Sequence, residues 1–507
     1  MKPTEPSEES VRRIPTGSPG LDTLLNGGWI HGGTYMVTGA PGTGKTILGN
    51  QLCFTHVARG GRAVFVTMLS ESHGRMMSHL SRMRFFQREP IGQSLHYVSA
   101  YATLKAEGLD GLSRLLYRSV REHQASVLVV DGLLAVQESA GSVLAFREFL
   151  HSLGVHNALA GCTTLVLTNR QENTFDPQFA MVDGVLALEQ RTRNLASVRT
   201  LEVPKLRGEP QLSGLHTFEI DNTGIRVYPR LEALHARPPE VTADRRRRSF
   251  GIPRLDVLLH GGPPDLSSTL VLGSPGSGKT LLGLHFLAQG ALQGETGLYY
   301  GFLETGPQLL AKASDVGLDL QPHRKAGRLI LETRAAVEVQ PDILVHDLLH
   351  LLERHQARRL FIDGLEPLVQ ESLTPRRAPG FLTALLNALR SRAVTSLLTR
   401  QTRLLSTSQL EPRLEGLESL VDNIVLLRYV ELRSQVHRLL SILKMRESDY
   451  DPALREFSIS TRGIDVAKTF DSAEALLGGK ARPPRVRRQR PQRKQTGPHV
   501  PSRRSRS

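Results

Sequence analysis

Cysteine and aromatic residues are scarce in this chain of 507 residues. The sequence contains two cysteines, Cys53 and Cys162, one tryptophan and only 5% aromatic residues. Two thiols exclude a disulfide framework as the main support of the fold. No apolar run approaches the roughly 18 residues that a membrane-spanning helix needs, and residues 1–10 lack the apolar core of a signal peptide. We therefore expect a cytoplasmic protein without a membrane segment.

Acidic residues are absent from the C-terminal end of the chain. Residues 480–507 contain eleven lysines and arginines, so most of the formal net charge of +15 lies in this segment. The overall charge is therefore weak evidence that the folded part binds nucleic acid. Segment 472–507 is predicted to be a disordered basic tail, because it has almost nothing to bury. Two interpretations stay open: non-specific contact with nucleic acid, or a solvated tail that aids solubility or contacts acidic partners.

The sequence does contain one module that is used twice. Gly39–Thr46 reads GAPGTGKT, and Gly273–Thr280 reads GSPGSGKT, at an offset of 234 residues. Glycines before each loop, an apolar run ending in Asp131 or Asp363, and a later Lys-x-Arg triplet recur in the same order. Four blocks repeated in one order indicate a duplicated domain.

The composition between the two modules predicts where one domain ends and the next begins. We expect a first domain over residues 1–235 and a second over residues 249–471. Residues 236–248 contain a proline pair and the run Arg245–Arg248, which is typical of a charged, exposed linker.

Each module shows a β-prone run, the glycine-rich loop, a helical segment and further strand–helix units. Thr34–Thr38 and Ile47–Ala58 flank the first loop, and Thr269–Leu272 and Leu281–Leu292 flank the second. Such alternation predicts an α/β fold with two tandem P-loop domains, each a mostly parallel sheet flanked by helices.

The repeated motif G-x-x-x-x-G-K-T is typical of a phosphate-binding loop. Its glycines let successive backbone N–H groups face one anion, and the following helix adds the positive end of its dipole. Lys45 and Lys279 are predicted to reach the β- and γ-phosphates of ATP, and Thr46 and Thr280 to ligate Mg²⁺. A glycine-rich turn that binds nothing is the alternative. The predicted nucleotide-binding residues are Gly39, Pro41, Gly42, Thr43, Gly44, Lys45 and Thr46 in the first loop and Gly273, Pro275, Gly276, Ser277, Gly278, Lys279 and Thr280 in the second.

Two aspartates end apolar strands after the loops. Asp131 and Asp363 are predicted to face Mg²⁺ beside the P-loop, together with the loop threonines. The alternative for each is an aspartate that caps the turn before the following glycine, Gly132 or Gly364.

Hydrolysis also requires a group that orients or deprotonates water. Glu304 follows the β-prone run Leu298–Phe302 and is the candidate in the second module. The equivalent position of the first module is Ser70, so Glu71 can serve only if the strand end is shifted by one residue. A solvated loop glutamate is the alternative for both.

The next β-prone segment of each module also ends in polar residues. The run that starts at Thr168 resembles the run that starts at Thr399. These groups are candidates for sensing the γ-phosphate, and ordinary loop residues are the alternative.

A Lys-x-Arg triplet follows β-prone segments late in each module. Lys205 and Arg207 form the first pair, and Lys444 and Arg446 the second. They lie far along the chain from their own P-loops, and such a pair suits a finger that contacts the γ-phosphate of a neighbouring subunit. A surface basic pair is the alternative.

Together these features resemble the KaiC family of RecA-like ATPases over residues from about 12 to 465. The resemblance implies a self-associated ring, typically a hexamer, with ATP between neighbouring subunits. It supports the role of both Lys-x-Arg pairs across the subunit interface. The residues that carry it are Gly17, Leu21, Asp22, Gly27 and Gly28, both P-loops, the strands ending in Asp131 and Asp363, Lys205–Gly208 and Val421–Arg428.

Two positions depart from the family pattern. The family usually has paired glutamates at the end of the second strand, where this chain has Leu69-Ser70 and Leu303-Glu304. The clock proteins of the family phosphorylate an adjacent Ser-Thr pair, where this chain has Glu418 and Ser419. Ser419 is thus the only matching acceptor for a weak serine/threonine autokinase activity.

The function predicted is a signalling ATPase that uses ATP and Mg²⁺ and whose nucleotide state sets its contacts with an unidentified signalling protein. Two alternatives stay open: a RecA-like ATPase that depends on nucleic acid held by the tail, and a non-catalytic nucleotide-binding scaffold. Stimulation of hydrolysis by DNA would favour the former, and an absence of turnover would favour the latter.

Overall fold

The computed structural model describes residues 12–68, 73–169, 177–193, 196–240, 246–337, 339–369, 377–402, 417–432, 435–446 and 449–467. The predictions for Glu71, for the Leu69-Ser70 position and for the basic tail lie outside these residues. Within them, no helix combines the length and the apolar composition that crossing a membrane requires.

The first module alternates strands and helices after a short two-stranded sheet. Its elements are β1 Arg13–Ile14, α1 Pro19–Leu24, β2 Trp29–Ile30, β3 Thr34–Gly39, α2 Lys45–Val57, β4 Ala63–Thr67, α3 His73–Leu80, β5 Leu95–Ser99, α4 Tyr101–Glu122, β6 Val127–Asp131, α5 Leu133–Ser139, α6 Val143–Leu159, β7 Thr163–Thr168, β8 Gly184–Arg193, β9 Ala196–Leu206, β10 His216–Asp221, β11 Gly224–Tyr228 and α7 Leu231–Leu234.

The second module repeats this order from α8 onwards. Its elements are α8 Pro253–Leu258, β12 Ser268–Gly273, α9 Lys279–Leu292, β13 Gly297–Gly301, α10 Gly306–Asp315, α11 Gln321–Lys325, β14 Leu329–Thr333, α12 Pro341–His355, β15 Arg359–Asp363, α13 Glu366–Val369, α14 Ala378–Ser391, β16 Thr395–Gln401, β17 Asn423–Leu432, β18 Gln435–Met445, β19 Arg455–Ser460 and β20 Gly463–Val466.

Each module is built on one nine-stranded sheet. The order is β11-β10-β9-β8-β3-β7-β6-β4-β5 in the first module and β14-β13-β15-β16-β12-β17-β18-β19-β20 in the second, which is the same arrangement read from the other edge. The strands from β8 to β5 run parallel, whereas β9, β10 and β11 pair antiparallel. The predicted α/β class with two tandem RecA-like domains is confirmed.

The central strands are buried on both faces because helices cover each side of the sheet. Phe65 of β4 packs into the cluster on one face, and its neighbours Val64 and Val66 pack into the cluster on the other. This explains why strands such as β6, buried along its whole length, lack the apolar–polar alternation of a half-exposed sheet.

The seam between the modules is a packed contact. Leu231 of α7 lies in the apolar core that covers one face of the second sheet. The side chain of Asn387 donates to the carbonyl of His235 at 3.0 Å. The last turn assigned to the first domain by sequence is therefore docked on the second.

The basic run Arg245–Arg248 was predicted to be an exposed linker, but its last residue, Arg248, is largely buried. Arg248 is 15% exposed and forms ion pairs with Asp265 and Glu295. Glu295 also pairs with the fully buried Arg359. Arg248 is therefore part of the folded second module, because two carboxylates compensate its desolvation.

Candidate nucleotide sites

The two glycine-rich loops connect a buried strand to a helix in the same way. β3 ends at Gly39 and α2 begins at Lys45, while β12 ends at Gly273 and α9 begins at Lys279. The helix-capping residues Gly44 and Gly278 both have a φ of 103°, a left-handed conformation that glycine adopts without strain. A Cβ would lie 2.6 Å from Ile220 at the first position and 2.8 Å from Ile459 at the second. Ile220 belongs to the hairpin of β10 and β11, and Ile459 to the hairpin of β19 and β20. The packing of these hairpins on the loops therefore also requires glycine.

The loop lysines fold back onto the loop backbone. Lys45 Nζ donates to the carbonyls of Gly39 at 2.7 Å and Ala40 at 3.0 Å. Lys279 Nζ donates to the equivalent carbonyls of Gly273 and Ser274 at 2.8 and 2.9 Å. Burial lowers the pKa of both lysines. Each ammonium group is thus held inside the loop, at the place where a phosphate would be enclosed.

The threonine after each lysine contacts the strand-end aspartate. Thr46 Oγ1 donates to Asp131 Oδ2 at 2.7 Å, and Thr280 Oγ1 donates to Asp363 Oδ2 at 2.8 Å. Burial raises the pKa of both aspartates, and the threonine hydrogen bonds oppose this shift. A hydroxyl and a carboxylate, both hard oxygen donors, fit the small divalent ion that P-loop proteins hold with their nucleotide.

A cavity of about 800 Å³ lies beside the second loop. Lys279, Thr280, Glu304 and Asp363 are among the residues that line it. One polar atom here, Oε2 of Glu304, is buried and has no hydrogen-bond partner within the described part of the chain. Such orphaned groups are expected where a polar ligand belongs.

Glu304 is partly neutralised by a residue that the sequence analysis did not single out. Lys312 of α10 forms an ion pair with Glu304 Oε1, so Oε2 is the carboxylate oxygen that has no partner among the residues that the structure describes. No local motif announces this contact, because the two residues are eight positions apart and meet through the docking of α10. Glu71, the first-module candidate, lies outside the described residues.

The ends of β7 and β16 correspond to each other, but the residue-by-residue alignment differs from the one predicted from the sequence. Asp131 pairs with Leu167 across β6 and β7, whereas Thr399 Oγ1 donates to Asp363 Oδ1 at 2.9 Å. Thr399 therefore corresponds to Leu167, and the alignment of Thr168 with Thr399 was wrong by one residue. A one-residue shift moves a strand side chain to the opposite face of the sheet.

The Lys-x-Arg pairs lie at the end of the sheet opposite to their own loops. Lys205 pairs with Val185 at the start of β8, and the neighbouring Gly184 pairs with Tyr35 near the start of β3. Tyr35 and Gly39 are separated by about 13 Å of strand. A residue at this place faces away from the P-loop of its own module.

Both pairs are held by equivalent intramolecular contacts. Lys205 Nζ donates to the carbonyl of Phe179 at 2.7 Å, and Lys444 Nζ donates to that of Glu418, the equivalent residue, at 2.8 Å. Their arginine partners form equivalent ion pairs, Arg207 with Asp183 at 3.3 Å and Arg446 with Asp422 at 3.4 Å.

A mostly parallel sheet with a lysine-bearing loop before a helix and an aspartate at the end of a nearby strand defines a P-loop ATPase domain. The family model described as "ATPase: KaiC" matches residues 14–232 and again residues 249–470. The chain therefore belongs to the KaiC family of ATPases, and its two modules are ATP-binding domains of that type.

Individual relatives match along nearly the full length. The circadian clock oscillator protein KaiC of Thermostichus vulcanus is 27% identical over 495 residues, covering 94% of this chain and 93% of the relative. The circadian clock oscillator protein KaiC 1 of Synechocystis is 26% identical, with 93% and 92% covered. The circadian clock protein KaiC3 of the same organism is 26% identical, with 93% and 95% covered.

Proposed function

We propose that the protein is a Mg²⁺-dependent ATP hydrolase that assembles into a ring and works as a nucleotide-controlled signalling switch. One observation carries the proposal: in both modules the P-loop threonine hydroxyl donates directly to the strand-end aspartate, at 2.7 and 2.8 Å. The same contact at two independent places indicates that the hydroxyl and carboxylate oxygens are arranged for a common ligand.

Nucleotide binding would exchange contacts that the chain now makes with itself. The ammonium group of Lys279 would leave the carbonyls of Gly273 and Ser274 and donate to the β- and γ-phosphates. Loop N–H groups and the N-terminus of α9 would stabilise the remaining phosphate charge. Mg²⁺, held by Thr280 and Asp363, would supply positive charge against the phosphates. The first module has the same set of groups in Lys45, Thr46 and Asp131.

Glu304 is the residue proposed to orient the attacking water in the second module. Its Oε2 is buried beside the loop and has no partner in the described segments, so it can accept a hydrogen bond from water. Its other oxygen is fixed by Lys312, which holds the carboxylate in one direction. We assign the main hydrolytic activity to this module, and the corresponding role of Glu71 in the first module stays a prediction.

In the proposed ring, the two Lys-x-Arg pairs of one subunit would lie at the nucleotides of its neighbour. Lys205 and Arg207 lie at the end of their sheet away from their own P-loop, as do Lys444 and Arg446. A ring that joins this end of one module to the loop of the next would complete each site with two cations. Hydrolysis would then change the subunit contact, which gives a physical route from nucleotide state to the binding of an unidentified partner.

A weak autokinase activity would use Ser419 as acceptor. Ser419 ends a short 3-10 helix, and its carbonyl accepts a hydrogen bond from Arg446 at 3.5 Å. The acceptor therefore lies beside the residues proposed to reach a neighbour's γ-phosphate. Incorporation of labelled γ-phosphate into the wild type, lost in Ser419→Ala, is the expected result, and equal labelling of both proteins would refute this assignment.

Steady-state ATP hydrolysis by the full chain tests the main proposal. Lys279→Ala is expected to abolish most turnover, and Lys45→Ala to leave most of it, because Glu304 belongs to the second module. Turnover should require Mg²⁺ and should not increase on addition of DNA. If the wild type turns over no more ATP than the variant lacking both lysines, the hydrolase proposal fails and a nucleotide-binding scaffold takes its place.

A further inference from the structure

The strand-end aspartates of the two modules have different surroundings. Asp131 accepts a side-chain hydrogen bond from Thr46. Asp363 accepts the equivalent bond from Thr280 and two more, from Thr399 Oγ1 to Oδ1 at 2.9 Å and from Tyr299 Oη to Oδ2 at 3.4 Å. Both carboxylate oxygens of the second module are therefore held by hydroxyl groups.

The two additional hydroxyls come from positions that are apolar in the first module. Tyr299 pairs with the central residue of β15, just as Phe65 pairs with the central residue of β6. Leu167 occupies the place of Thr399. The chain thus contains its own natural comparison, in which the same strand positions lack both hydroxyls.

A neighbouring glycine makes room for the tyrosine hydroxyl. A Cβ at Gly301 would lie 2.2 Å from Tyr299 Oη. Residues i and i+2 of a strand share one face, and the first module has Thr67 at this second position. Tyrosine and glycine occur together in one module, and phenylalanine and threonine in the other, as expected if the glycine serves the hydroxyl.

The direction of the hydroxyl is fixed by the packing of the ring. Tyr299 is 1% exposed. Its ring lies edge-on against Phe361, with centroids 5.5 Å apart and planes at 72°. The phenol therefore has little freedom to point anywhere but at the carboxylate.

We propose that Tyr299 is a positioning residue that, together with Thr399, orients the Asp363 carboxylate. The second module would therefore bind Mg²⁺ with higher affinity than the first. This inference rests on the proposed function, since it assigns Asp363 to the ion that accompanies ATP. Hydrogen bonds to a ligating carboxylate fix its direction, and losing one weakens metal affinity by about tenfold or more.

The test uses the full chain in a Lys45→Ala background, so that the first site is silent in every sample. Binding of a fluorescent non-hydrolysable ATP analogue is measured against Mg²⁺ concentration and again in EDTA. Tyr299→Phe is expected to raise the Mg²⁺ concentration at half-saturation about tenfold and to leave binding in EDTA unchanged. The fold should tolerate this variant, because Phe65 occupies the same position of the first module. Thr399→Val should change the Mg²⁺ dependence in the same direction.

Tyr300→Phe is the matched control. It removes a buried hydroxyl from the adjacent residue, where the group donates to the carbonyl of Leu344 at 2.9 Å on the opposite face of the sheet. Its Mg²⁺ dependence should equal that of the parent.

Two further outcomes separate the inference from the proposed function. If Tyr299→Phe and the parent have equal Mg²⁺ midpoints while Lys279→Ala abolishes binding, the inference is overturned and the nucleotide site stands. If the parent binds no nucleotide with or without Mg²⁺, the proposed nucleotide site is refuted, and the inference about Tyr299 is refuted with it.

Discussion

Arg377 of the second module donates two hydrogen bonds to Glu232 of the first, from Nε to Oε1 at 2.6 Å and from Nη2 to Oε2 at 2.9 Å. The same guanidinium donates to both oxygens of Asp342, at 2.8 and 2.6 Å. The arginine side chain is 11% exposed and that of Asp342 is 1% exposed. Bidentate charge-assisted pairs of this kind combine strength with strict geometry. The contact joins the two modules beside Leu231.

Removing this arginine should destabilise the seam. Arg377→Met leaves the buried Asp342 without its cation, so the free energy of unfolding should fall by about 3 kcal/mol. Arg114→Met, which breaks the exposed pair with Glu107, should cost less than about 1 kcal/mol. Urea unfolding followed by circular dichroism measures both values. Equal losses in the two variants would contradict the role given to the seam.

The seam should also respond to acid. Burial would raise the pKa of Glu232, but the hydrogen bonds from Arg377 outweigh burial and hold this pKa below its ordinary value. A carboxylate with a lowered folded pKa stabilises the protein above the ordinary glutamate pKa of about 4.3, and this contribution is lost as the pH falls through the lowered value.

The prediction is that Glu232→Gln is less stable than the wild type at neutral pH and that the difference shrinks as the pH falls below the ordinary glutamate pKa of about 4.3 and through the lowered pKa of Glu232. Urea midpoints of both proteins across this range provide the measurement. A difference that is as large in acid as at neutral pH would show that the charge of Glu232 is not what stabilises the seam.

Glu304 should be needed for ATP hydrolysis but not for nucleotide binding. Glu304→Gln retains the shape of the side chain and removes its charge, so kcat should fall by about a hundredfold while nucleotide affinity changes little. Glu353→Gln removes a carboxylate that pairs with Arg392 on the surface of α12, and its turnover should match the wild type. A Glu304→Gln protein with normal kcat would exclude Glu304 from the chemical step.

Mixing two inactive variants tests whether the second site is shared between subunits. Arg446→Ala should lose hydrolysis because a neighbour's γ-phosphate loses its cation, and Lys279→Ala should lose it because the loop is defective. In mixed rings, an intact loop from the first variant meets an intact Arg446 from the second, so part of the activity should return. Mixtures that stay as inactive as the separate variants would argue that Arg446 acts within its own subunit or only structurally.

Local sequence patterns were sufficient for the fold and for the core of the site. The P-loop residues are consecutive, so a motif alone places Lys279 and Thr280 together. Asp363 could be predicted because apolar strands of a parallel sheet end at one edge, where a carboxylate comes beside the loop. These inferences depend on covalent adjacency or on strand periodicity, both of which are visible in the sequence.

Contacts set by the docking of separate elements were not visible. Lys312 of α10 pairs with Glu304 across eight positions of the chain, a contact that no sequence motif predicts. The register of β16 against β15, which puts Thr399 on Asp363, differs from the sequence alignment by one residue. From the sequence, Tyr299 is an ordinary core aromatic residue; only the structure shows that its hydroxyl donates to the carboxylate of Asp363. Arg248 was predicted to be part of the linker, because its ion pairs with Asp265 and Glu295 cannot be recognised from the sequence.

Leu231 belongs to the first repeat by sequence and to the second by packing. A second half excised at residue 249 would leave an apolar hole where this side chain sits, and it would also lose the carboxylate of Glu232. The unit that must be inherited and expressed together is thus longer than the repeat itself. Loss of the first copy would remove part of the core of the second, so the second copy depends on the first for its packing.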